Sequence, residues 1–337
     1  MTKKIRVAVL MGGRSSEHEI SLESARSVIE ALDPDKYEVA SVEIGRDGRW
    51  ALGPGGGTVA ETLPVPATSS VPATLGEVDV VLPVLHGPFG EDGTVQGLLE
   101  LAGLPYVGAG VAASALCMDK DLFKKVLRDS GIPVARHHAI RLRDSIENPF
   151  GYPVFVKPAR LGSSVGISKV HSEEELAPAV ELARRHDEKV LIEEFVEGTE
   201  VECGVLGNLG ADERPVASVV GEIVPQGEWY DYAAKYDEGG SQIIVPARVD
   251  EATARRVQEL SVDSFVATEC EGMARIDFFV RPDGEVVVNE INTIPGFTAT
   301  SVYARLFEAS GIPYGELLDR LVRLALDRHE RRSGLAY

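Results

Sequence analysis

The sequence predicts an α/β protein whose first third is an open sheet of parallel strands. Three observations carry that expectation. Ile5 to Leu10 is an apolar run with little alternation, as in a strand buried on both faces of a parallel sheet. Tyr37–Ile44 and Val78–Leu85 are similar runs, separated from it by helical spacing at Ala25, Val28, Ile29 and Leu32. The first and third runs end in glycine loops, Met11-Gly12-Gly13 and His86-Gly87-Pro88-Phe89-Gly90. Strands alternating with helices make an open α/β sheet, and such sheets bind ligands where the strands end.

The rest of the chain is ordered differently. A helix is expected over about Met118–Ser130, stopped by Gly131-Ile132-Pro133. Strands follow at Val154–Val156, Gly166–Val170, Val190–Glu194, Val201–Leu206, Val216–Ile223, Ala274–Val280 and Glu285–Ile291, the last two forming a hairpin about Arg281-Pro282-Asp283-Gly284. Ser172 and Glu175 read as a capping box for a helix to Arg185, which Pro178 should kink or shorten. The tail from Tyr314 to His329 is helical. The Gly/Pro/Ser/Thr-rich stretch 53–72 reads as an exposed connection.

Bulk properties exclude several function classes. The 337 residues suffice for two or three domains, and 44% hydrophobic content is ordinary for a globular protein. No apolar run approaches a membrane span, and the basic N-terminus leads straight into a strand rather than a signal peptide. A net charge of −19 repels nucleic acid and anionic membranes, so neither is an expected partner. The three cysteines, Cys117, Cys203 and Cys270, are widely spaced and suit buried thiols in a reducing cytoplasm. If the substrate is an anionic nucleotide, local cations must offset the overall charge.

Five segments can carry chemistry. In Ala274-Arg275-Ile276-Asp277, Arg275 and Asp277 share one strand face, and Glu290 and Asn292 share a face of the next strand. The carboxylates and the amide are hard oxygen ligands of the kind magnesium prefers, and Arg275 can stabilise developing negative charge. A solvated hairpin with alternating polar residues has the same spacing. The following Pro295-Gly296 turn can offer the Gly296 N–H to an oxyanion. Lys157-Pro158-Ala159-Arg160-Leu161-Gly162-Ser163-Ser164 opens from a strand into a loop whose N–H groups and hydroxyls can cradle phosphate. It lacks a Walker pattern, and a plain flexible loop remains the alternative.

Glu17, in the first glycine loop, can bind a substrate ammonium, or simply place negative charge at a helix N-terminus, worth about 0.3–1 kcal/mol. His86 is either a ligand contact or a hydrogen-bonded loop residue. Trp229-Tyr230-Asp231-Tyr232-Ala233-Ala234-Lys235-Tyr236, flanked by glycines, suits a lid over a site or a surface aromatic loop.

Taken together in order, Gly12–Ser21, His86–Gly93, Ser114–Lys120, Lys157–Gly166, Tyr230–Tyr236, Arg275–Asp277 and Glu290–Ser301 resemble the D-alanine–D-alanine ligases of the ATP-grasp superfamily. The resemblance implies an N-terminal substrate-binding α/β domain (1–118) and a two-subdomain ATP-grasp unit (119–198 and 199–337, with a lid at about 225–241). It also implies ligation of two D-alanine molecules through an acyl phosphate, with ATP and two Mg2+ (or Mn2+) ions, in a cytoplasmic homodimer. By resemblance, Lys120, Lys157 and Ser164 contact phosphates. Glu193, Glu194, Phe195 and Val196 form the adenine hinge, and Glu200 contacts ribose. Asp277, Glu290 and Asn292 ligate metal. Arg275 and Gly296 form the oxyanion site. Glu17, grouped with Ser163 and Tyr236, anchors the first D-alanine near His86, and Ser301 with Lys235 receives the second. Tyr236 in the lid marks dipeptide-forming ligases rather than those making D-alanyl-D-lactate.

Overall fold

The computed structural model describes residues 3–52, 62–63, 78–208, 214–225 and 241–336. Three sheets follow one another along the chain. The first joins β1 (Ile5–Gly12), β2 (Tyr37–Ile44), β3 (Trp50–Leu52), β4 (Thr62–Leu63) and β5 (Val80–Pro83) in the order β4-β3-β2-β1-β5. Its centre is parallel, β2 and β5 both pairing with β1, and Val7, Ala8, Val9 and Leu10 are wholly buried, as the unbroken apolar run requires. At one edge β3 and β4 run antiparallel, so the sheet is not parallel throughout. Apart from β4, the 53–72 connection lies outside the described residues. Helix α1 (His18–Ala31) packs on β1 through Ser21, Ser24, Ala25 and Val28.

After α2 (Thr94–Leu101) and α3 (Val111–Met118) comes α4 (Lys120–Asp129). The expected helix over 118–130 is thus α4, with a break at Asp119. The Asp119 carboxylate caps α4 by accepting from the Asp121 and Leu122 N–H groups at 3.2 and 3.1 Å.

The second sheet holds β6 (His137–Arg141), β7 (Val154–Pro158), β8 (Ser168–Val170) and β9 (Lys189–Glu194), antiparallel in the order β6-β9-β7-β8. Helix α5 (Glu173–Arg184) covers one face with Leu176, Ala179, Val180 and Ala183. Pro178 does not shorten it: the ring stands on the exposed side of a helix that continues past it. The capping box is also altered. The Ser172 side chain makes no cap bond, and the Glu175 carboxylate accepts from the His171 N–H at 2.8 Å.

The third sheet contains β10 (Thr199–Leu206), β11 (Val216–Pro225), β12 (Ser241–Ile244), β13 (Met273–Val280) and β14 (Val286–Asn292) in the order β12-β11-β10-β13-β14. One face, with Val201, Cys203, Val205, Ala274 and Ile276, is buried against α3, α4 and α6 (Glu251–Ala267). Helix α6 escaped the sequence reading because its inner stripe includes Ser261 and Ser264, both fully buried, which blurs the apolar period. The opposite face receives α7 (Val302–Ala309). A Cβ on Gly204 would lie 2.7 Å from the Phe307 ring, so glycine there lets α7 approach. The last helix, α8 (Tyr314–Ser333), crosses back to the first sheet. Leu317, Leu321 and Val322 share a core with Val7, Val9 and Val80, and Arg328 donates to the Tyr106 and Gly108 carbonyls at 2.6 Å.

Among the described residues no helix is long and apolar enough to cross a membrane. All three cysteines are buried and free, with Cys117 and Cys270 sulfurs 3.7 Å apart.

Candidate active site

Between the second and third sheets lies a cavity of about 410 Å³, within the range of small-molecule sites. One wall is cationic. Lys120 opens α4, and its ammonium donates to the Leu161 carbonyl at 2.9 Å. Lys157 projects from β7, and its ammonium donates to Glu193 Oε1 at 2.6 Å. The other Glu193 oxygen accepts from Lys124. Burial by itself raises the Glu193 carboxyl, but the two ammoniums outweigh it and hold the group at about 2. Glu193 is therefore committed to one lysine on the cavity wall, Lys157, and one buried behind it, Lys124. Ser163 and Ser164 follow in the loop with φ of +52° and +57°, a left-handed conformation uncommon outside glycine and often found at functional sites.

The hinge between β9 and β10 carries Glu194, Phe195 and Val196. The Glu194 carboxylate is turned to Arg136 and Arg281, Phe195 packs on Phe155 with ring centres 6.1 Å apart, and Val196 is buried against Ala135 and Val287. Its side chains hold the hinge in place, and the segment forms part of the cavity lining, as does Glu200.

The opposite wall is the β13–β14 hairpin. Cross-strand register sets Asp277 opposite Glu290 and Arg275 opposite Asn292. The register shifts after Asp277, leaving Asn289 as an extra residue. That bulge decides which way the site faces. Val286 and Val288 point to the helix-covered core, and strict alternation would send Glu290 and Asn292 there too. The shift puts Ile291 in the core and turns Glu290 and Asn292 to the side of Asp277. Arg275 holds the Asp277 carboxylate through two bonds of 2.7 and 2.8 Å, and Asn292 Nδ2 donates to it at 3.0 Å. Glu290 Oε2 lies 3.6 Å from the Lys120 ammonium.

These donors fit magnesium. With its nitrogen on Asp277, Asn292 has its amide oxygen left as a ligand, beside two carboxylates. Among the described residues no three carboxylate, histidine or cysteine side chains form a ready-made metal site. Water and phosphate oxygens have to complete the shell, which is how magnesium binds with nucleotides.

Glu17, at the start of α1, reaches across to the second sheet's loop. It makes no cap bond, and its carboxylate accepts a hydrogen bond from the Ser163 hydroxyl. His86 is buried, and Nδ1 sits 3.0 Å from the Ile294 carbonyl. Burial lowers its pKa more than the nearby Glu17 raises it, so the ring is neutral at pH 7, with Nδ1–H donating and Nε2 buried without a hydrogen-bond partner among the described residues. Gly296 and Ser301 form the turn before α7, and the Ser301 hydroxyl accepts from the Thr298 N–H at 2.9 Å. Lys235 and Tyr236, with the rest of the expected lid, lie outside the described residues.

Three acidic or basic residues were missed in the sequence. Glu202 is buried, pairs in register with Asp277 and lies 2.9 Å from Arg275 Nε; the two-residue spacing from Glu200 is the signal that could have found it. Glu91 lines a cavity of about 20 Å³ with Lys120, Glu290 and Asn292, room for one water. Burial, then the Glu17 charge, raises its carboxyl to about 8. Lys124 follows Lys120 by one helical turn, a spacing that put both on one face of α4.

Comparison with known proteins bears on this geometry. Residues 6–109 match the family model described as D-ala D-ala ligase N-terminus, and residues 126–323 match the D-ala D-ala ligase C-terminus model. A D-alanine–D-alanine ligase from Mycolicibacterium gilvum is 47% identical, covering 97% of this chain and 99% of its own. The D-alanine–D-alanine ligase structure from Coxiella burnetii superposes with a TM-score of 0.87 at 38% identity, covering 98% and 97% of the two chains. The VanG D-Ala:D-Ser ligase from Enterococcus faecalis gives 0.85 at 38% identity over 96% and 100%. The Bacillus anthracis D-alanine–D-alanine ligase complexed with ATP gives 0.78 at 28% identity over 97% and 99%.

Proposed function

Because the chain belongs to the D-alanine–D-alanine ligase family, we propose that it uses ATP to join two D-alanine molecules into D-alanyl-D-alanine for peptidoglycan precursors. The observation that carries this reading is the cavity itself. Lys120 and Lys157 stand on one wall, and Asp277 faces Glu290 in register on the other.

The chemistry asks for little covalent participation by the protein. A carboxylate is a poor acylating agent, so it first takes the γ-phosphoryl group of ATP and becomes an acyl phosphate. The amine of the second substrate then displaces phosphate. Lys120, Lys157 and Ser164 hold the phosphates. Asp277, Glu290 and Asn292 would hold two magnesium or manganese ions, which when bound would supply positive charge beside the nucleotide phosphates. Glu17 receives the first substrate's ammonium, oriented by its bond to Ser163, with the neutral His86 beside it. Arg275 and the Gly296 N–H receive the developing oxyanion. Ser301 and Lys235 take the second carboxylate, and Tyr236 joins the lid to Glu17 and Ser163. The hinge Glu193–Val196 receives adenine and Glu200 the ribose, in line with ATP in the Bacillus anthracis relative. The same reading places the protein in the cytoplasm as a homodimer, tested by light scattering.

A D-alanyl-D-serine product is the second reading, favoured by the close superposition with VanG. Incubation with ATP, magnesium, D-alanine and an equal amount of D-serine or D-lactate, followed by mass spectrometry, separates the two. D-Alanyl-D-alanine as the main product supports the proposal. A mixed product, or phosphate release that does not need D-alanine, sinks it.

A further inference from the structure

Lys124 has no place in the binding scheme above, yet it is one of the largest fully buried side chains, with 0% of its surface exposed. It hydrogen-bonds one Glu193 oxygen while Lys157 takes the other. Lys157 lines the nucleotide cavity; Lys124 stands behind it. We propose that Lys124 is a positioning residue that neutralises Glu193, so that Lys157 keeps its positive charge available to nucleotide phosphate. The proposal rests on the reading of the cavity as an ATP site.

A single lysine beside Glu193 would already satisfy that carboxylate. Lys157 would then face the cavity as half of a neutral pair, and a phosphate would have to compete with Glu193 for it. With Lys124 present, two ammoniums share one carboxylate and an excess positive charge is left on the cavity side. Burying uncompensated charge is costly, so the arrangement is suited to an incoming anion rather than to the empty fold. The other charged or titratable groups around Lys124 have carboxylate partners of their own. Lys120 has Glu290 at 3.6 Å, and His137 is kept neutral mainly by burial, with its Nε2 on Asp121 at 3.1 Å. Burial pulls the Lys124 ammonium down to about 8 against the attraction of Glu193, so it is charged at neutral pH and loses its proton in mildly alkaline solution.

The full-length protein tests this with Lys124→Met, the double variant Lys124→Met/Glu193→Gln, and the wild type at several pH values. Lys124→Met should raise KM for MgATP roughly tenfold or more, the effect of losing one close charge partner, with KM for D-alanine within about twofold. Adding Glu193→Gln should lower the ATP KM again, because Lys157 is released. A lysine that only props up the fold predicts the opposite, with the second substitution making matters worse. An unchanged ATP KM in Lys124→Met, or a double variant no better than the single at equal Tm, overturns the proposal. Should Lys124→Met fail to fold, calorimetric binding of MgATP to the wild type decides. Affinity should fall as pH rises through about 8, and a flat profile from pH 7 to 9 also overturns it. The wild-type product assay is independent of these outcomes, so failure here leaves the ligase reading to stand or fall separately.

Discussion

The two walls of the cavity are electrostatic opposites. On the second-sheet side Lys124 and Lys157 share the Glu193 carboxylate, and Lys120 adds a third ammonium nearby. On the hairpin side Glu202 and Asp277 hold the Arg275 guanidinium between them, and Glu290 stands opposite Asp277. The first wall can meet phosphate directly. The second repels it and would become complementary with divalent cations bound to its carboxylates. In a protein with a net charge of −19, cations are thus concentrated on one wall of the cavity, and on the proposed function the other wall would recruit metal.

Substitutions that break one wall should therefore differ from those that break the other. The largest effect is expected at the acidic wall. Asp277→Asn or Glu290→Gln should cut turnover about a thousandfold, several kcal/mol of lost charge stabilisation, with little change in Tm. Wild-type turnover in both would remove the metal assignment. Lys157→Met or Lys120→Met should cost about a hundredfold in kcat/KM for ATP, and extra magnesium should not restore it. Rescue by magnesium would mean the walls are interchangeable.

Ser163→Ala, in the loop beside the cationic wall with its hydroxyl on Glu17, should raise the first D-alanine KM about tenfold through loss of one charge-assisted hydrogen bond, leaving ATP affinity intact. An altered ATP affinity instead would assign the serine to the phosphate loop. The smallest effect concerns stability. Glu193 is depressed from 4.5 to about 2, so its contribution is complete above pH 4.5 and is lost as pH falls through 2. Denaturant titrations at pH 5 and pH 3 should show a smaller loss in Glu193→Gln than in wild type. Equal losses would mean that Glu193 does not carry the linkage.

Much of this was legible in the chain. The parallel centre of the first sheet followed from the unbroken apolar run at Val7–Leu10, and the hairpin from its Pro-Asp-Gly turn. Period-two spacing paired Arg275 with Asp277 and Glu290 with Asn292. Other features were hidden because burial, not residue type, defines them. Lys124 and Glu202 look like ordinary surface charges until their partners are known, and the buried serines of α6 masked its apolar face.

By itself the sequence determined the elements, the polar faces of the two hairpin strands and the residue types able to bind phosphate and metal, because these depend on neighbours within a few positions. The tertiary structure decided which faces meet. The register shift at Asn289 turned Glu290 from the core toward Asp277, α8 closed the first sheet from the far end of the chain, and Glu193 met two lysines from different elements. Such pairings arise from packing between segments distant in sequence, where one extra residue in a strand reverses the direction of every side chain after it.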